Sequence, residues 1–261
     1  MSKELKAKIY VICGKGGVGK SSVSSIYAKK LSSGYKVLLV SIDQDHTISI
    51  IFNREIGNRV IKLDENLYAI EIDASDIAKH YISSTIDSIK ELITPKSLES
   101  IKNYSRILLN SQVAINTAII YGLYKIEKNF DIIIIDTPPS FQFISFLNTL
   151  FSLEKNLDFV LKIYENWKRI LENFSERKLR NYEKIRENLN IAIEIESFFK
   201  LANYYIVINP SEIVIRRSKS MEDFLKKHNL NFIGYIVNKY KNENIKIKNV
   251  VDYIPFQERI F

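Results

Sequence analysis

Gly14-Lys15-Gly16-Gly17-Val18-Gly19-Lys20-Ser21 is the stretch whose reading decides the fold. The apolar run Lys8-Ile9-Tyr10-Val11-Ile12-Cys13 precedes it and Ser22-Val23-Ser24-Ser25-Ile26-Tyr27-Ala28 follows, so the segment reads as strand, glycine loop and helix. That is the setting of a Walker A loop. Glycines let the backbone approach phosphate oxygens, and the N–H groups opening the helix point at the anion. In such a loop Gly14, Gly16, Gly17, Val18, Gly19 and Ser22 supply backbone, Lys20 reaches the β- and γ-phosphates, and the Ser21 hydroxyl is a ligand of Mg²⁺. Four of the chain's eight glycines fall within these six positions, which sets the stretch apart from a glycine turn that binds nothing.

Moving outward, Tyr35-Lys36-Val37-Leu38-Leu39-Val40-Ser41-Ile42 is a continuous apolar run of the kind found in parallel strands buried on both faces. It ends in Asp43, and ligands of open α/β sheets bind at the carboxyl ends of such strands. Asp43 is therefore placed to orient the water that attacks a γ-phosphate. The alternative is a helix start here, with Asp45 or Thr47 as the cap. Phe130-Asp131-Ile132-Ile133-Ile134-Ile135-Asp136 is a second buried run ending in a carboxylate, followed by Thr137-Pro138-Pro139-Ser140. Asp136 suits Mg²⁺, which prefers oxygen ligands and keeps part of its water; an aspartate capping the turn before Pro138 is the other option. Tyr204 to Ile208 and Phe232 to Asn238 read as further strands, and 75–130 and 141–201 as mainly helical.

A lysine directly after the first glycine, Lys15, gives the deviant Walker A pattern. With it the chain resembles the ATPase group that contains ParA, MinD, the nitrogenase iron protein and the ArsA-type ATPases. Val40-Ser41-Ile42-Asp43-Gln44-Asp45-His46-Thr47-Ile48-Ser49 and Leu67-Tyr68-Ala69-Ile70-Glu71-Ile72-Asp73 narrow this to the ArsA family, whose usual forms are Ser-Thr-Asp-Pro-Ala-His-Ser and Leu-x-Ala-x-Glu-Ile-Asp. The resemblance implies an α/β fold: a P-loop NTPase with a mostly parallel, doubly wound sheet and a helical subdomain. It implies one domain over 1–261, with the subdomain formed by about 75–129 and 141–200.

It further implies that ATP and Mg²⁺ are bound, that Lys15 reaches the phosphates of a partner subunit in a nucleotide-sandwich homodimer, and that Asp43 activates water. Asp136 inherits the Walker B role beside Ser21, and Asn238 reads the adenine edge, with Pro255 and Phe256 closing over the base; a strand-end cap is the alternative for Asn238. Two departures from the family form carry expectations of their own. The switch I proline is Gln44 here, which leaves that backbone less rigid. The switch II Gly-His-Thr is Phe141-Gln142-Phe143, which removes a hinge and slows turnover.

By the same resemblance, the region from Phe141 to Phe174, with its apolar stripe Val160, Ile163, Tyr164, Trp167, Leu171 and Phe174, forms a platform for a client's transmembrane helix, as in the tail-anchored-protein targeting ATPases; ordinary core or dimer surface is the alternative. Cys13 is the only cysteine, read as a small buried residue. It excludes an intramolecular disulfide and the Cys-x-x-Cys zinc clasp common between subunits of the targeting ATPases, and it disfavours an arsenite site, which needs several thiolates.

The net charge of +8 suits an acidic partner. It keeps open a ParA- or MinD-like ATPase binding DNA or membrane, with Arg216, Arg217, Lys219, Lys226 and Lys227 as a DNA patch. A regulatory switch for a soluble protein is a third option. Met1 to Lys6 is too short and too charged for a signal peptide, and no apolar run reaches the roughly 20 residues a bilayer requires, so a cytoplasmic location is expected.

Overall fold

The computed structural model describes residues 7–79, 99, 111–126, 129–170, 176–241 and 247–256. Within the helices, the side chains of 154, 156–161, 163–170, 176–182, 184 and 185 are outside that description. All six side chains of the apolar stripe from Val160 to Phe174, and the segment around Pro95 read as helical, therefore lie outside that description.

Eight strands form one sheet: β1 (Lys8–Gly14), β2 (Val37–Ser41), β3 (Ile61–Lys62), β4 (Leu67–Glu71), β5 (Ile132–Asp136), β6 (Asn203–Ile208), β7 (Asn231–Tyr240) and β8 (Val250–Pro255). Their order is β3-β4-β2-β5-β1-β6-β7-β8, and every pairing is parallel except β3 with β4. The sheet grows in both directions from the central pair β5–β1. Strands added after β1 lie on one side, and the chain then returns to add β6, β7 and β8 on the other. This is the doubly wound, mostly parallel α/β arrangement of a P-loop NTPase. β2 and β5 are buried at every position, which requires cover on both faces and explains why their sequences are continuous rather than alternating. β3 was not expected; two residues leave no readable pattern.

The described helices are α1 (Lys20–Leu31), α2 (Thr47–Phe52), α3 (Gln112–Tyr124), α4 (Ser140–Ile170), α5 (Glu176–Lys200) and α6 (Glu212–Lys227). The chain divides into two compact units. The first comprises Met1–Ala74, Ile126–Ile144 and Phe198–Phe261, and holds the sheet; the second comprises Ser75–Lys125 and Ser145–Ser197. The core of the first is aliphatic, with Val11, Leu38, Leu39, Val40, Ile134, Ile135, Ile206 and Val237 all buried. In the second, Ser111 caps α3 by accepting from the Ala114 N–H at 3.2 Å. Asn116, buried one turn on, accepts from Gln112 and donates to Thr149 Oγ1 at 2.8 Å, tying α3 to α4 through a satisfied polar pair.

Candidate functional site

The glycine loop runs from the end of β1 into α1. At Gly19 φ is +87°, and a Cβ there would meet Asn238 Nδ2 at 2.3 Å; at Gly14 it would meet the Val207 carbonyl oxygen at 2.5 Å. Only glycine lets the loop sit this close to β6 and β7. Asn238 Nδ2 donates to the Val18 carbonyl at 2.9 Å, so the loop is pinned to β7 from the side. Gly19→Ala is expected to lower stability by about 1–3 kcal/mol through left-handed strain and loss of that bond, and to weaken nucleotide binding at least about tenfold. Denaturant unfolding and nucleotide titration test this, and wild-type values in both would show that the close approach is not needed.

α1 begins at Lys20, with Val23 the first residue to bond back, to Gly19. The N–H groups of Lys20, Ser21 and Ser22 thus face out of the helix end. Lys20 is buried, and its Nζ lies 3.5 Å from the Lys15 carbonyl oxygen. Lys15 itself is half-buried on the loop.

Two carboxylates converge on this lysine. Asp136, at the end of β5, is wholly buried; burial pushes its carboxyl up to about 7, against the opposing pull of Ser21, Lys20 and Ser24. Ser24 Oγ, one turn after Lys20, donates to Asp136 Oδ1 at 3.2 Å, while Asp136 Oδ2 has no partner. An orphaned, buried carboxylate oxygen beside a serine hydroxyl fits a hard divalent cation, which would relieve its desolvation. Among the described residues no cluster of three or more acidic, histidine or cysteine side chains could hold a metal. Asp43, at the end of β2, is also nearly buried; burial raises its carboxyl, Lys20 opposes and the neighbouring Asp45 adds to it.

The alternative read for switch I, a helix start capped by Asp45 or Thr47, is met only in the helix start, since α2 opens at Thr47 without either cap. The residue before α2 is His46, in the left-handed region, and no local side chain caps the helix. Neither Asp45 nor Thr47 serves. Instead Glu71, at the end of β4 and wholly buried, accepts from the Ser49 N–H at 3.0 Å and from the Ser49 hydroxyl, with His46 Nδ1 at 3.6 Å. A carboxylate from a neighbouring strand satisfies the helix start, so no local cap is required. Gln44 is not loose either: its amide bonds to Ile72 and Ala74.

In switch II, Pro139 lies where a Cβ on Gly16 would meet it, at 3.7 Å, and α4 opens at Ser140, so Phe141, Gln142 and Phe143 lie in its first turn. Phe143 is buried and Phe141 is 85% exposed. The residues expected on the base side, Asn238, Pro255 and Phe256, lie on β7, on β8 and just after β8, toward one edge of the sheet. Tyr240 on β7 is paired with Pro255 on β8, and the Phe256 N–H bonds the Tyr240 carbonyl at 3.3 Å. Phe256 is exposed, with Lys241 Nζ 4.8 Å from its ring centroid. Cys13 is buried with its thiol pushed up to about 12 by burial, an inert core residue. Glu71, Ser24 and the Gln44 amide escaped sequence reasoning as parts of the site; Glu71 alone carried a signal, a charged residue closing an apolar strand.

A family model described as anion-transporting ATPase matches residues 7–253. A putative arsenical pump-driving ATPase 2 of Aquifex aeolicus (strain VF5) is 29% identical over 246 residues, covering 91% of this chain and 81% of its own length. The putative arsenical pump-driving ATPase 1 of the same organism is 27% identical over 269 residues, covering 91% of this chain and 64% of its own. An ATPase ASNA1 homolog of Plasmodium falciparum (isolate 3D7) is 27% identical over 255 residues, covering 90% and 64%. The chain thus spans under two thirds of the last two.

Proposed function

The chain belongs to the anion-transporting ATPase family and is an ATPase, and from that premise we propose that it works as a zinc-free homodimer around bound MgATP and carries a hydrophobic transmembrane-helix client. The observation that supports the ATP chemistry best is the convergence of Lys20, Asp43 and Asp136 on one glycine loop. In this reading the loop amides and Lys20 cradle the phosphates, and Ser21 with Asp136 would hold Mg²⁺. When bound, Mg²⁺ neutralises charge on the transferring phosphate. Lys15 reaches the partner's phosphates, and Asp43 orients water and accepts its proton. The remaining amide groups of Asn238, with Pro255 and Phe256, read and cover the adenine. Catalysis is then mostly positioning and electrostatics.

The client rests on the family resemblance and on Phe141, an aromatic ring exposed at the start of switch II where a nucleotide-dependent movement would reach it. A metalloid cargo is disfavoured because Cys13 is the only thiol. A DNA-binding role draws on the basic side chains of α6, but Arg216 pairs with Glu212 and Lys226 with Glu222, and Lys219 also acts on the Glu222 carboxylate, lowering its pKa. No described helix is long and apolar enough to cross a membrane.

Co-expression with a client bearing one C-terminal transmembrane helix tests this, read by size-exclusion chromatography with light scattering. A soluble complex of two subunits and one client that ATP dissociates or assembles is expected. Client in the pellet with the protein running alone would overturn the client reading and leave the ATPase intact. ATP-dependent DNA affinity falling steeply with salt would favour the positioning ATPase instead.

A further inference from the structure

The parallel ladder between β2 and β4 ends at Ser41 and Glu71, with one more rung from the Ile72 N–H to the Ser41 carbonyl at 2.9 Å. Beyond it the backbone of β2 turns away as switch I. The next rung is made by a side chain. Gln44 Nε2 donates to the Ile72 carbonyl at 3.1 Å, and Gln44 Oε1 accepts from the Ala74 N–H at 3.1 Å. These are the two groups, flanking residue 73, that one further residue of a parallel strand would take. A primary amide presents a donor and an acceptor on adjacent atoms without charge, as a peptide group does, and only this orientation of the amide satisfies both contacts.

Gln44 follows Asp43 in the chain, so the amide is tied to the Asp43 backbone through two methylenes, the Gln44 Cα and one peptide bond. Asp43 is also held by its own N–H on Ser41 Oγ at 3.2 Å, and its carboxylate accepts from the backbone N–H groups of Asp45 and Gln44, so its setting depends on where Gln44 is placed; the far end of switch I is held by Glu71 on Ser49. Gln44 therefore supplies the fixed point between the strand and α2. We infer that Gln44 is a positioning residue for hydrolysis, whose side chain extends the β2–β4 ladder by one rung and so holds the Asp43 carboxylate at a set angle to the phosphate cradle. Where a proline would restrict the backbone through its ring, this chain uses two hydrogen bonds. They can be broken and remade, so switch I can release without a change of backbone chemistry. The inference rests on the reading of Asp43 as the water-orienting group.

The variants are Gln44→Leu, which keeps length and removes both bonds, and Gln44→Glu, which keeps an acceptor for the Ala74 N–H but cannot donate to Ile72. Gln44 is exposed, so neither change empties the core. In the full-length protein, Gln44→Leu is expected to lower kcat about tenfold while the Kd of a non-hydrolysable ATP analogue stays within about twofold. Gln44→Glu should fall between it and the wild type. Amide hydrogen exchange at Ala74 should speed up in the nucleotide-free Gln44→Leu protein. Unchanged kcat together with unchanged exchange would overturn the inference. Asp43→Asn, run in parallel, separates the two claims. If it hydrolyses ATP at the wild-type rate, the reading of Asp43 fails while the exchange data still decide whether the Gln44 rung exists. If Asp43→Asn is inactive and Gln44→Leu is fully active with faster exchange at Ala74, the rung exists but does not position the carboxylate, and the inference fails alone.

Discussion

Lys20→Met is expected to raise the Kd for MgATP about a hundredfold and to reduce hydrolysis at saturating ATP by a further large factor. Methionine nearly keeps the length of the buried side chain, so the change removes charge rather than volume. In the wild type, among the described residues Lys20 Nζ has only the Lys15 carbonyl, at 3.5 Å, as a hydrogen-bond partner, leaving its donors available to phosphate oxygens. Two charge-assisted bonds at about 1.5 kcal/mol each correspond to roughly a hundredfold in affinity. The free protein responds in a defined direction too. Lys20 lowers the pKa of both Asp43 and Asp136 against the effect of their burial. Without it both carboxyls rise further, and Mg²⁺ must compete with a more tightly held proton at Asp136. Isothermal titration measures the affinity directly. The rise in Tm that MgATP gives the wild type should largely disappear at the same nucleotide concentration. An unchanged Kd would place the phosphates elsewhere.

Much of the sheet was legible because parallel strands buried on both faces need continuous apolar runs, and Val37 to Val40 and Ile132 to Ile135 are such runs. The glycine loop was legible because its conformation is demanded locally, by left-handed angles and close backbone approach. What escaped were bonds between residues far apart in sequence. Glu71 caps a helix that starts 24 positions earlier, at Thr47, and Asn238 holds Val18 across 220 positions. Local pattern cannot contain such pairings. It can only offer residues able to make them, as Asp45 and Thr47 were offered for a helix start that Glu71 satisfies. The same holds for Gln44. Read by itself, the loss of a proline predicts a looser backbone; in the fold, the amide finds Ile72 and Ala74 because β4 runs alongside.

Asp43→Asn is the substitution that isolates chemistry from binding. Asparagine has the same shape and can still hydrogen-bond a water, but it cannot take the water's proton or its developing positive charge. A loss of about 10²–10³ in kcat is expected. Affinity should behave differently. Asp43 is an anion close to where phosphates would lie, and its charge raises the Asp136 carboxyl. Removing it lets Asp136 ionise more readily and removes a repulsion, so the Kd for MgATP should hold or tighten by up to about threefold. A fall in kcat with no rise in KM marks a group used in the transition state and not in the ground state. The pH profile supplies an independent sign. Activity needs the ionised carboxylate, and burial raises its pKa. At saturating MgATP, where the bound cation would keep Asp136 ionised, the acid limb of the wild-type kcat profile should therefore lie above the ordinary carboxylate range, with activity lost as pH falls through it, and the residual kcat of Asp43→Asn should lack that limb. Steady-state and single-turnover hydrolysis between pH 5 and 9 would settle the matter. A variant with wild-type kcat, or one that keeps the same acid limb, would move the proton acceptor to another residue.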